Sequence, residues 1–83
     1  MKCKCIKDWN QTTIKYLGKG KHSEPFEKTI FKKGDDCFYR NDNKQKIIYV
    51  ADTEQHISRI DYYNMYVEEL EQDEFNIHFE KNN

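Results

Sequence analysis

Apolar and polar residues alternate along much of this chain with a period of two. From Lys2 to Trp9, Cys3 and Cys5 fall on one side while Lys4, Ile6 and Asp8 fall on the other. That is the pattern of a half-buried strand, whose successive side chains point to opposite faces. Asn10-Gln11 is turn-like. Thr12 to Leu17 is rich in β-branched and aromatic residues and reads as a strand or extended arm. Gly18 to Pro25 holds two of the three glycines and the only proline, which predicts a flexible loop. Phe26 to Phe31 alternates again. Lys32-Lys33-Gly34-Asp35 is a tight turn with Gly34 at its left-handed position. Cys37 to Arg40 is a short strand, and Asn41-Asp42-Asn43-Lys44 signals a hairpin. Lys46 to Asp52 is the clearest strand, Thr53-Glu54 turns the chain, and His56 to Ile60 alternates with Ile57 and Ile60 facing inward.

The last third fits two patterns. Tyr63, Tyr66, Val67 and Leu70 share a helix face, whereas Tyr62, Met65 and Tyr66 suit a strand, and extended structure to about Val67 is the expectation. A short helix follows over Glu71 to Glu80, with Phe75 and Phe79 paired at i,i+4. Asp73 and Glu74 in its first turn suit the positive end of the helix dipole. Residues 81–83, Lys-Asn-Asn, predict a frayed tail. Five to six short antiparallel strands and a terminal helix therefore predict one mainly β domain over residues 1–83, a small half-open barrel of SH3 or OB type.

Composition sharpens this picture. Only 36% of the 83 residues are hydrophobic, enough for one modest core and no enclosed cofactor cavity. Trp9, Phe26, Phe31, Phe38, Tyr49, Phe75 and Phe79 are expected to dominate it, with homodimerisation as a second source of burial. The longest apolar run, Ile47 to Ala51, is far too short for a membrane span or a signal segment. The expectation is a cytoplasmic protein with no membrane partner, its three cysteines reduced.

The charge is unevenly placed. Residues 1–50 carry twelve Lys/Arg against six Asp/Glu, a net of +6, while residues 51–83 carry two against nine, a net of −7. Folding either interleaves the halves into a mixed surface or leaves a dipolar one that engages a basic partner.

Candidate chemistry is sparse. Cys3 and Cys5 point the same way on a strand, but a structural zinc needs four ligands and a wider cysteine spacing. They read as small buried thiols, with no metal and no cofactor. Gly18-Lys19-Gly20-Lys21 lacks the spacing and the following helix of a phosphate loop and reads as a basic loop. Lysines and aromatics interleave in the first half, so Lys19, Lys21, Tyr16 and Tyr39 are candidates for stacking and neutralising single-stranded nucleic acid. Glu68, Glu69, Glu71, Asp73 and Glu74 form the densest charge run. With Tyr62, Tyr63 and Tyr66 they are the candidate contact surface for a protein partner. No nucleophile or metallohydrolase motif is present, and the expectation is not an enzyme.

From Phe31 to Phe79 the chain carries a Phe-x-Lys-Gly turn (Phe31 to Gly34), an Asp-Asp-Cys-Phe-Tyr strand, Ile-Tyr-Val-Ala-Asp, and a terminal Glu-Phe-x-x-x-Phe-Glu. These stretches resemble the small SH3-like β-barrel accessory proteins of phages and mobile elements of low-GC Gram-positive bacteria. The resemblance covers about sixty per cent of the chain and implies a barrel and a source. It further implies a protein that binds and inhibits a host protein, such as a host-defence factor of the CRISPR or restriction kind. A single-stranded nucleic-acid or nucleotide-binding module is the alternative, and a virion structural or assembly protein a third.

Overall fold

Most of the alternating segments become strands. The fold is a computed structural model that describes residues 1–60 and 66–82. Its elements are β1 (Lys2–Cys5), β2 (Trp9–Thr13), β3 (Tyr16–Gly18), β4 (Lys21–His22), β5 (Phe26–Phe31), β6 (Asp36–Asp42), β7 (Ile47–Ala51), α1 (Glu54–Ser58), β8 (Val67–Glu71), α2 (Gln72–His78) and β9 (Phe79–Lys81). Five strands form one antiparallel sheet in the order β8-β7-β6-β1-β9. Among the described residues this sheet stays open at both edges, so the protein is mainly β but its strands do not close into a barrel. The reason lies in the remaining strands. β2 pairs only with β5, and β3 only with β4, so the chain spends residues 9–31 on a separate ribbon instead of on closure.

The two faces of the five-stranded sheet differ. Cys3 sits opposite Cys37, Tyr39 opposite Val50, and Ile48 opposite Leu70. Directly opposed residues share a face, so these side chains form one apolar layer. Phe75 and Phe79 cover that layer, and Trp9 and Phe31 join it from the ribbon's base. Phe75 and Phe79 stack at 5.3 Å and 14°, but the helix expected over Glu71 to Glu80 covers Gln72–His78, with Glu71 in β8 and Phe79 opening β9. On the other face Ala51, Ile57 and Val67 are buried together, flanked by Phe38, Tyr49 and Ile60.

Several local expectations change. Asn10 and Gln11 lie inside β2; the turn comes earlier, at Ile6 to Asp8. There Ile6 and Lys7 N–H groups donate to the His78 carbonyl (2.8 and 3.3 Å), and Asp8 Oδ1 accepts from Lys33 N at 2.7 Å. Residues 54–58 are helical, not a strand, because Thr53 caps them by accepting from His56 N at 3.2 Å. Ile57 and Ile60 still face inward, since three residues apart is also a helical spacing. Phe26, expected inside, is 45% exposed. Asn82 N donates to the Lys2 carbonyl at 3.0 Å, so the segment read as a frayed tail is tied to β1 as far as that residue.

Candidate functional site

Residues 9–31 form a long hairpin arm. Its base is anchored: Trp9 faces Phe31 across the ladder, both are buried, and Phe31 meets Phe79 edge-on at 5.4 Å. A bulge between Trp9 and Asn10 lets the ribbon leave the sheet. From Asn10 outward the strands pack chiefly on each other. The consequence is visible in the shape. The molecule measures 47 × 29 × 22 Å with a radius of gyration of 14.2 Å, against about 12 Å for a compact chain of this length.

Ladder bonds run out past Thr13↔Phe26 to a second short hairpin, in which Tyr16 faces His22 and Gly18 faces Lys21. Between the two ladders Ser23 N donates to the Lys15 carbonyl (2.8 Å) and Lys15 N to Ser23 Oγ (2.9 Å), which keeps the arm continuous. The turn takes Gly18, Lys19 and Gly20 through positive φ in succession, 92°, 52° and 73°. Two of these are glycines because only glycine adopts that region freely. The segment read as a loop is therefore the tip of the arm.

Four of the large apolar side chains that the molecule exposes lie on the arm. Ile14 (54%), Tyr16 (62%), Leu17 (59%) and Phe26 (45%) are all open to solvent. Burying what they still expose is worth roughly 1 kcal/mol each. A two-stranded ribbon is marginally stable alone in water. Lys15, Lys19 and Lys21 stand around Ile14, Tyr16 and Leu17, with no acid between Ile14 and His22, while Glu24 and Glu27 flank Phe26. Tyr16 packs against His22 at 5.3 Å, and its hydroxyl accepts from Gly20 N at 3.3 Å.

The candidate nucleic-acid residues thus divide. Lys19, Lys21 and Tyr16 come together at the arm tip. Tyr39 does not join them: it is 1% exposed, 5.3 Å from Phe75, because its strand position faces the core layer. It is not available to stack a base.

The acidic candidates also come together. Glu68, Glu69 and Glu71 lie on β8, the edge strand beside β7, and Asp73 and Glu74 open α2. Charge on an edge strand blunts pairing with other chains, so part of this acidity belongs to the fold. Glu69 and Glu71 face the outer side with Tyr49 and Ile47. They border an open groove of about 580 Å³ that also takes in Lys46, Leu70 and Asp73. The field there is negative: burial first, then Asp42 and Glu69, pushes the Tyr49 phenol up. Glu68 points the other way, opposite Val50 on the core face, and burial raises its carboxyl.

Tyr66 is half exposed, its ring stacked on His56 at 4.7 Å and 20°. His56 Nδ1 in turn lies 2.7 Å from Asp52 Oδ1. This contact fixes Tyr66 against α1. Tyr62 and Tyr63 lie outside the described residues. Cys3, Cys5 and Cys37 are all buried free thiols. Burial raises Cys3 to about 11 and Cys37 to about 12, far from a reactive thiolate. Among the described residues no three His, Cys, Asp or Glu side chains are grouped to hold a metal, and no helix is long and apolar enough to cross a membrane.

The arm is the feature that sequence reasoning missed. The signal was the apolar content of Ile14, Leu17 and Phe26 on both sides of a Gly-Lys-Gly turn, which reads as a hairpin once the two flanks are aligned. Compared with protein-family models, with curated protein sequences and with solved structures, the chain matches none.

Proposed function

We propose that this protein is a non-catalytic binding module whose contact element is the β-arm, inserted into an apolar site with an acidic rim on a protein partner. One observation carries the proposal: four large apolar side chains stand exposed on a ribbon that, among the described residues, is anchored chiefly at its base. Interfaces place such residues at their centre and leave charges at the rim, which is the arrangement of Ile14 and Leu17 among Lys15, Lys19 and Lys21. The inhibitor of a host-defence protein suggested by the sequence resemblance falls within this class, and that finer identity rests on the resemblance alone.

The test is a quantitative pull-down from nuclease-treated lysate with the wild-type chain, an Ile14→Ser/Leu17→Ser/Phe26→Ser variant, and a Glu69→Lys/Glu71→Lys variant. A protein retained by wild type and lost from the arm variant supports the proposal. Retention by the arm variant and loss from the edge variant transfers the contact to β8 and refutes it.

A second reading is favoured by the meeting of Tyr16, Lys19 and Lys21 at the tip, where the arm combines a ring with two cations. If the arm binds single-stranded nucleic acid through Lys15, Lys19 and Lys21, log affinity falls against log salt with a slope of roughly −2.

A further inference from the structure

The arm tip and the β8 edge are complementary, and one chain leaves that complementarity unused. Residues 14–22 carry three lysines and no acid; residues 68–74 carry five acids and no Lys or Arg. The two lie far apart. Ile30 and Phe31, at the arm's base, line a common recess with Tyr66 and Glu68. The acidic strand therefore begins beside the base, while the tip stands nine residues beyond Trp9, about 30 Å away at 3.3 Å per residue.

From this we infer that the arm's docking site is the β8 edge of a second copy of this chain, forming a two-fold dimer. The inference deepens the proposed function and rests on the arm being a contact element. Three features select a second copy as occupant. The tip's three lysines are opposite in sign to the acids of the edge, Glu69, Glu71 and Asp73 among them. The edge supplies some apolar ground among its acids, since half-buried Ile47 lines the groove that Glu69, Glu71 and Asp73 border. The outer side of β8 is also free of a neighbouring strand among the described residues, so a ribbon strand can add to it. Because base and edge adjoin, an axis that lays one arm along the partner's β8 lays the partner's arm along the first. Two identical contacts then form at once, the closure that makes two-fold dimers common. With a net charge of −1, the copies do not repel as wholes.

The experiment is sedimentation equilibrium on the full chain from micromolar to millimolar concentration, at low and moderate salt. Three proteins are compared: wild type, an arm reversal (Lys15→Glu/Lys19→Glu/Lys21→Glu) and an edge reversal (Glu69→Lys/Glu71→Lys/Asp73→Lys). Wild type is expected to reach twice the 10.2 kDa chain mass and to dissociate as salt rises. Each reversal alone weakens self-association by at least about tenfold, because like charges then face each other. An equimolar mixture of the two reversals regains the dimer, since both contacts are again of opposite sign.

Carbodiimide cross-linking of isotopically mixed wild type tests the same contact without any substitution. It is expected to join Lys19 or Lys21 of one chain to Glu69 or Glu71 of another. A wild-type chain monomeric throughout, a dimer indifferent to the arm reversal, a mixture that stays monomeric, or cross-links confined to other pairs would each overturn the inference. So would a monomer whose arm instead binds an oligonucleotide. A monomer that still loses its captured protein on apolar arm substitution sinks the dimer and leaves the proposed function standing.

Discussion

Phe26 and Phe31 occupy the two ends of one strand, and alanine substitution should separate them sharply. Phe31 is 5% exposed, 6.0 Å from Trp9 and 5.4 Å from Phe79. Deleting a buried phenylalanine ring costs about 3–5 kcal/mol, the loss of transfer energy plus the cavity left behind. A domain of this size has roughly 4–12 kcal/mol in total, so Phe31→Ala removes a large part of it. With a urea slope of roughly 1–2 kcal/mol/M for a small chain, the unfolding midpoint falls by roughly 1.5–5 M. Phe26 is 45% exposed on the free part of the arm, and Phe26→Ala should cost less than about 1 kcal/mol. The single tryptophan, Trp9, is buried beside Phe31, so its fluorescence reports the base, with far-UV circular dichroism reporting the sheet. Equal destabilisation by the two substitutions would mean that the arm lies on the core in solution. A cost below about 1 kcal/mol for Phe31→Ala would mean that the base is not anchored as described.

Three further outcomes follow from the same structure. Cys3 and Cys37 hold their protons to about 11 and about 12, against 9.0 for an ordinary thiol. The folded state therefore binds more protons than the unfolded one between those values, and stability should fall as pH rises through 9 to 12; a flat alkaline profile in urea melts would contradict it. Burial raises Glu68, so its cost is absent at low pH and present once its carboxyl ionises; Glu68→Gln should raise the neutral-pH melting temperature and flatten its fall across the acidic range, and a lowered melting temperature would argue against this. Gly20, at φ 73° with nothing near a built Cβ, should lose about 1 kcal/mol of hairpin stability on substitution by valine through backbone strain alone. That loss should appear as faster amide exchange in residues 16–22 and leave the melting of the sheet unchanged.

Strand content was legible because the period of two is local: Cys3 and Cys5, the alternation through Phe31, and Ile47 to Ala51 each announce a strand by themselves. The Phe75/Phe79 pair announced the helix in the same way. What the pattern does not carry is pairing. Whether β2 and β5 join the sheet or leave it depends on a bulge at Trp9 and on the distance the tip turn spans, and neither alters hydrophobic periodicity. Hence a barrel was the natural expectation and Phe26 was assigned to its interior. Tyr39 was misplaced for a related reason. Residue type alone does not separate Tyr16 from Tyr39, and only the register, which sets Tyr39 opposite Val50, decides which one is buried. The acidic segment was legible as charge. Its position on an exposed edge was not, because edge and centre are properties of strand order.

The placement of β1 between β6 and β9 has a consequence for how the chain acquires this shape. Cys3 pairs with Cys37 on one side and Lys81 on the other, so its strand is flanked only when segments separated by 34 and by 78 residues have both arrived. The second closure is nearly the longest the chain can make. It costs little more than the first in loop entropy, since that penalty grows only with the logarithm of length, but it slows folding, which waits for distant segments to meet. It also brings residues 2 and 82 within hydrogen-bond distance of each other. A short linker between them, with new ends opened at Lys19-Gly20, would give a circular permutant whose sheet keeps every neighbour and whose arm becomes two free strands. Such a protein would separate the work of the arm from the stability of the body that carries it.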